Sequence, residues 1–134
     1  MNVLLIDDDL ITHEIIAVFL QRYGEKYEID VTIKALHDPV QGLIELSDHK
    51  DFYNMILLDV RLPKFSGDQI YKSISKKAPE LLDRIVFITA SPNAVYEKLP
   101  NQNLHILGKP FRYDIFESKV HAVHQHYVSE ECCS

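Results

Sequence analysis

The sequence predicts an α/β fold, a doubly wound five-stranded parallel sheet in the order 2-1-3-4-5, on two observations. Short apolar runs alternate along the chain with segments of helical period, the signature of parallel strands joined by crossover helices. One run, Met55-Ile56-Leu57-Leu58, is unbroken and stops on Asp59. An apolar run without polar alternation is a strand covered on both faces, as strands in a doubly wound sheet are. With 134 residues, 46% of them apolar and 25% charged, the chain makes one domain with room for a real core.

The first strand is about Asn2 to Ile6 and runs into Asp7-Asp8-Asp9. Ile11, Ile15, Val18 and Phe19 then recur at helical spacing up to Gly24, which reads as a C-cap. Ile29 to Leu36 alternates like a strand with one wetter face, suiting the second strand to a sheet edge. Asp38-Pro39 opens the second helix, Asp as N-cap and Pro at the first helical position. The third strand ends on Asp59; Ser66 then caps a third helix, whose Ile70 and Ile74 face the core and which Ala78-Pro79 ends. Arg84 to Ile88 is the fourth strand, halting at Thr89-Ala90. Ser91-Pro92 starts a short fourth helix closed by Pro100. Leu104 to Leu107 is the fifth strand, ending at Gly108-Lys109-Pro110-Phe111. A fifth helix runs from about Arg112 to Val128 with Ile115, Phe116, Val120 and Val123 as its apolar stripe. One domain over 1–128 and a short tail over 129–134 are expected.

Charge and hydropathy exclude several classes. A net charge of -6 without a Lys/Arg-rich run argues against binding nucleic acid. No apolar stretch reaches membrane-spanning length, and Val3-Leu4-Leu5-Ile6 is not preceded by a basic leader, so a soluble, cytoplasmic chain is expected. Cys132 and Cys133, adjacent near the C-terminus, read as free thiols on a frayed tail. His121, His124 and His126 read as a solvated helix face, since one-turn spacing without a completing acid makes no metal site.

The ends of the strands carry the chemistry. Asp7 and Asp8 follow the first, Asp59 ends the third, Thr89 follows the fourth and Lys109 the fifth. In a sheet of order 2-1-3-4-5 the first and third strands are neighbours at the topological switch point, so these residues converge on the crevice at the carboxyl edge. Crowded carboxylates repel unless a cation joins them, and hard oxygen ligands at a wet rim suit Mg²⁺. A lysine and a hydroxyl on flanking strands can hold the oxygens of a phosphoryl group beside such a metal. Asp9, one acid beyond the pair, reads as the N-cap of the first helix.

The set Asp7-Asp8, Asp59-x-x-x-Pro63-x-x-x-Gly67, Thr89-Ala90 and Lys109-Pro110-Phe111, in this order and context, resembles the receiver domain of two-component response regulators, of the stand-alone chemotaxis-regulator type. The resemblance covers about Asn2 to Val128 and implies a flavodoxin-like (βα)5 fold. It also implies that Asp59 is the phospho-acceptor, Asp8 a direct Mg²⁺ ligand and Asp7 a water-mediated one. Asp59 and the backbone carbonyl of Arg61 complete the metal shell, Thr89 and Lys109 engage the phosphoryl group, and the Lys109–Pro110 peptide is cis. The implied activity is that of a signalling domain, not an enzyme beyond its own phosphorylation and dephosphorylation. Its implied partners are a sensor histidine kinase or histidine phosphotransfer protein as donor and a downstream protein effector, because the tail is too short for an output domain.

One position departs from the family pattern: Ile106 stands where an aromatic residue usually couples to the threonine hydroxyl. A β-branched aliphatic is stiff at χ1, so the signal is expected to pass through the loop after Thr89 and the fourth helix instead of an aromatic flip. The alternative class is a haloacid-dehalogenase-like phosphatase with Asp7 as nucleophile, which Asp7-x-Asp9 after the first strand satisfies. That reading lacks a later acidic pair and a cap insertion, and leaves Asp59 and its loop without a purpose. A degenerate receiver acting only as an interaction module fits less well, because every acceptor, metal and phosphate-contact position is filled.

Overall fold

The computed structural model describes residues 1–59, 72–73, 75–76, 79–90, 92–93 and 105–133, with side chains in the last helix described to residue 125. Five strands, β1 (Asn2–Ile6), β2 (Thr32–Leu36), β3 (Met55–Asp59), β4 (Ile85–Thr89) and β5 (His105–Gly108), form one sheet in the order β2-β1-β3-β4-β5. All four pairings are parallel. The helices are α1 (Leu10–Tyr27), α2 (Pro39–His49) and α3 (Tyr113–Cys133), with a 3₁₀ turn over Pro79–Arg84. The expected third and fourth helices lie largely outside the described residues, as do Ser66, Ile70, Ile74 and Pro100, and the loop with Arg61, Pro63 and Gly67. The parts described, 72–73, 75–76 and 92–93, are helical.

The sheet splits the core in two because side chains alternate across a strand. Leu4 and Ile6 of β1 and Ile56 and Leu58 of β3 face one side, with Leu46 of α2, Tyr53 and Leu81. Val3, Leu5, Met55 and Leu57 face the other, where α1 and α3 bring Ile16, Leu20, Tyr23, Phe116, Val120 and Val123. The unbroken run before Asp59 is thus apolar because each of its faces meets a helical layer. α2 lies close over β1: a Cβ on Gly42 would sit 2.4 Å from Ile6 Cδ1. Its Asp38 accepts from Val40 N at 2.9 Å as the expected N-cap.

Several boundaries and faces differ from expectation. α1 runs past Gly24 to Tyr27 and ends on Glu28, whose φ of 55° supplies the left-handed cap expected of the glycine. Gly24 serves close approach instead, since a Cβ there would lie 2.6 Å from the Ile29 carbonyl. That carbonyl belongs to the chain returning into β2, which therefore starts at Thr32 instead of Ile29. The phase of α1 is also shifted: Thr12, Ile16, Leu20 and Tyr23 are buried, whereas Ile11 and Val18 are more than 60% exposed and Ile15 is 41% exposed. Apolar residues occupy two adjacent stripes of this helix, so periodicity alone left the inward one undetermined.

α3 continues helically through Cys133, beyond the expected end at Val128, and its Ile115 is exposed while Phe116, Val120 and Val123 are buried. His121 and His124 are not on a solvated face; both rings are half-buried against α1. His121 stacks on Tyr27 at 4.5 Å and its Nδ1 shares a 3.0 Å hydrogen bond with the Tyr23 hydroxyl. His124 packs edge-on to Tyr23, and burial pushes its pKa below the ordinary imidazole value. Glu117 joins the same seam, accepting from the Tyr27 hydroxyl at 2.7 Å and pairing with Lys26, contacts that hold its carboxyl below the usual range. Among the described residues no helix is long and apolar enough to cross a membrane.

Candidate phosphoryl and metal site

Strand register brings the acids together. Ile6 of β1 pairs with Leu58 of β3, so the next residue of each strand, Asp7 and Asp59, emerges side by side at the carboxyl edge. Asp7, Asp8 and Asp59 each offer a carboxylate oxygen, and these atoms lie within 4.8 Å of one another. Asp7 is 2% exposed, the Asp59 side chain is 6% exposed, and Asp8 faces solvent. Two buried carboxylates this close need a cation. Lys109 supplies one charge: its Nζ lies 3.2 Å from Asp7 Oδ2 and 3.2 Å from Asp59 Oδ1.

Lys109 is delivered by β5, whose pairing ends at Thr89↔Gly108, and its backbone N–H donates to the Thr89 carbonyl at 2.7 Å. The Lys109–Pro110 peptide is cis, as the motif implied. Thr89 closes β4 and is 3% exposed. Alternation along β4 and β5 places Thr89 on the sheet face of Phe87 and Ile106, which is buried in the core there. The residue that replaces the usual aromatic therefore shares the threonine's side of the sheet.

The loop between β1 and α1 is ordered by its own polar groups. Asp9 caps α1 as expected, accepting from Ile11 N at 2.9 Å and from the Thr12 hydroxyl at 3.3 Å. The Ile11 hydrogen bond holds its carboxyl below the usual range. Asp9 N–H donates to Asp7 Oδ1 at 2.8 Å, and Asp7 N–H donates to the Leu36 carbonyl at 3.0 Å. His13, which the motif did not single out, donates from Nε2 to the Asp7 carbonyl at 2.5 Å. Its place in the sequence holds the signal: one turn into a helix, a side chain leans back toward the N-terminus and so over the preceding loop.

Among the expected site residues, Asp7, Asp8, Asp59, Thr89 and Lys109 all reach this edge, and Arg61 lies outside the described residues. The arrangement places three carboxylates where they can share a divalent cation, with a buried hydroxyl and an ammonium on the strands beyond. Such a site can present one carboxylate oxygen to an electrophile while neutralising charge that develops on it.

A family model described as the response regulator receiver domain matches residues 3–121. The Arabidopsis thaliana protein ARR13, named as a two-component response regulator, is 26% identical over 110 residues, which cover 82% of this chain and 18% of that relative. The chain thus spans under a fifth of the relative's length. A response regulator receiver domain protein of Clostridium thermocellum superposes with a TM-score of 0.76 at 17% identity, covering 93% of this chain and 94% of that one. The receiver domain of the sensor histidine kinase PA1611 of Pseudomonas aeruginosa PAO1, a structure with magnesium coordinated in its active-site cleft, gives 0.70 at 21% identity over 96% of this chain and 97% of that one. At these identities the solved structures establish the fold. Nothing found supports the phosphatase alternative.

Proposed function

The chain belongs to the response regulator receiver domain family, and from that membership we propose that Asp59 takes up a phosphoryl group in a Mg²⁺-dependent reaction and so switches binding to a protein partner. The observation that carries this reading is the pairing of Asp59 with Lys109 beside Asp7 and Asp8, at a carboxyl edge that also holds Thr89. Three carboxylate oxygens within 4.8 Å are a donor set that suits a hard divalent ion. Asp7, Asp8 and Asp59 would hold it, with the Arg61 carbonyl as the motif's further donor. When bound, the ion supplies charge neutralisation for the phosphoryl oxygens.

In the proposed transfer an Asp59 carboxylate oxygen forms a bond to phosphorus while the bond from phosphorus to the donor histidine nitrogen breaks, and the nitrogen keeps the electron pair. Lys109, already 3.2 Å from the Asp59 oxygen, compensates the charge gathering on the phosphoryl oxygens. Thr89 donates its hydroxyl to one of them. The donor is a histidine kinase or histidine phosphotransfer protein. The exposed stripe of Leu10, Ile11, Ile15 and Val18 on α1, starting beside the Asp9 cap, supports docking of such a donor at this edge. Downstream output goes through a protein effector, and the cytoplasm is the proposed compartment.

Incubating the chain with a small phosphodonor, with Mg²⁺ or with EDTA, tests the reading. One phosphoryl group per chain with Mg²⁺ and none with EDTA is expected, and Asp59→Asn should not be labelled. Equal labelling of Asp59→Asn with loss of labelling in Asp7→Asn would transfer the chemistry to the first strand.

A further inference from the structure

We propose that His13 is a positioning residue for the metal ligands, acting by pinning the peptide plane that joins Asp7 to Asp8. This rests on the reading that Asp7, Asp8 and Asp59 hold Mg²⁺. The Asp7 carbonyl and the Asp8 N–H belong to one rigid planar unit, so whatever fixes that carbonyl fixes the direction in which Asp8 leaves it. The acceptor is a carbonyl oxygen, so the imidazole nitrogen 2.5 Å away carries the hydrogen. The next plane, between Asp8 and Asp9, is fixed in turn by the Asp9 N–H on Asp7 Oδ1 at 2.8 Å. Asp8 thus stands between two pinned planes.

That placement matters because Asp8 is the one acid of the three that faces solvent, whereas Asp7 and Asp59 are held in the buried wall with Lys109. Fixing the backbone on either side of an exposed ligand lowers the conformational entropy lost when it is ordered on a metal. Asp7 is anchored on the strand side by its N–H to the Leu36 carbonyl at 3.0 Å, so His13 adds the constraint on the helix side of the same residue. His13 is itself rigidly presented, its backbone N–H donating to the Asp9 carbonyl at 3.2 Å in the first turn of α1. Outer-shell hydrogen bonds of this kind characteristically tune metal affinity by about 10–100-fold.

The test compares wild type, His13→Leu and His13→Gln, the last keeping an N–H donor of similar reach. Calorimetric titration with Mg²⁺ at fixed pH, thermal unfolding in EDTA, and amide exchange at Asp8 and Asp9 in metal-free protein are measured on each. His13→Leu is expected to bind Mg²⁺ about 10–100-fold more weakly, with faster exchange at Asp8 and Asp9 and a melting temperature close to wild type. His13→Gln should recover most of the affinity. Wild-type affinity in His13→Leu, or equal weakness in both variants, overturns the proposal. So does a wild type that binds no Mg²⁺. If the affinity pattern holds while wild type accepts no phosphoryl group on Asp59, the positioning role stands and the phospho-acceptor reading fails.

Discussion

Lys109→Ala separates the electrostatic role of this lysine from any part in holding the fold. Its ammonium lies 3.2 Å from each of two carboxylates whose side chains are 0% and 6% exposed. Unit charges at that distance attract by about 5 kcal/mol per pair at an effective dielectric of about 20. The desolvation already spent on all three groups offsets most of that. Removing one partner of a fully buried pair costs about 3–5 kcal/mol. Here Lys109 keeps 20% of its side chain in solvent, so about 2–3 kcal/mol is expected without metal. For 134 residues the unfolding entropy is roughly 0.28 kcal/mol/K, which makes this loss about 7–11 °C in Tm. Mg²⁺ stabilises both proteins, and the gap narrows only by the variant's gain in affinity: with the competing cation gone the variant is expected to bind about tenfold more tightly, which recovers about 1.4 kcal/mol, or about 5 °C, at saturating metal. Melting curves by circular dichroism in EDTA and in saturating Mg²⁺ should show a gap between variant and wild type that narrows by about 5 °C with metal. Equal gaps in both buffers would refute the argument and make Lys109 a packing residue.

The remaining expectations address the other parts of the site and its surroundings. Asp8→Ala should lower Mg²⁺ affinity by more than about tenfold in calorimetric titration while leaving Tm in EDTA near wild type, because its side chain is at the surface. Ile15→Ser combined with Val18→Ser, both exposed, should slow phosphotransfer from a protein donor about tenfold at low concentration and leave labelling by a small phosphodonor unchanged; slowing of both would place the effect in the chemistry. His124 is held neutral by burial, so it contributes stability that is complete above about pH 6.5 and is lost as pH falls below it. Melting temperature followed from pH 7.5 to about 5 should fall less steeply in His124→Phe, and identical slopes would remove His124 from the account. Adding Mg²⁺ and beryllofluoride should alter amide exchange at Thr89 and Ala90 and on through residue 99 more than in β5, because Ile106 cannot flip as a ring does; changes confined to β5 and α3 would show another route.

How far the sequence could be read depended on the kind of signal. The strand order and the meeting of Asp7, Asp8, Asp59, Thr89 and Lys109 were legible because four of the five apolar runs end on a chemical residue and topology alone aligns those ends. The Asp9 and Asp38 caps were legible for a local reason, side chains bonding to backbone two residues on. Helix faces were less so. α1 carries apolar residues at Ile11, Ile15 and Val18 as well as at Ile16 and Leu20, and only packing against β1, β3 and α3 selects the second set. Gly24 looked like a cap and proved to be a point of close approach, which depends on where the following segment returns. His121 and His124 looked solvated because their partners, Tyr23 and Tyr27, lie almost a hundred residues earlier. His13 went unmarked for the opposite reason: its contact is near in sequence, but it is made with a backbone carbonyl that no residue pattern displays.

The central claim is that Asp59, and no other carboxylate of the cluster, carries the phosphoryl group. Reductive trapping of the phosphorylated chain with borohydride, which converts an acyl phosphate to an alcohol, followed by tandem mass spectrometry, locates it directly. The account predicts homoserine at position 59, formed only when Mg²⁺ and a phosphodonor are both present and absent from Asp59→Asn. Homoserine at position 7 or 8, in wild type under the same conditions, would contradict it.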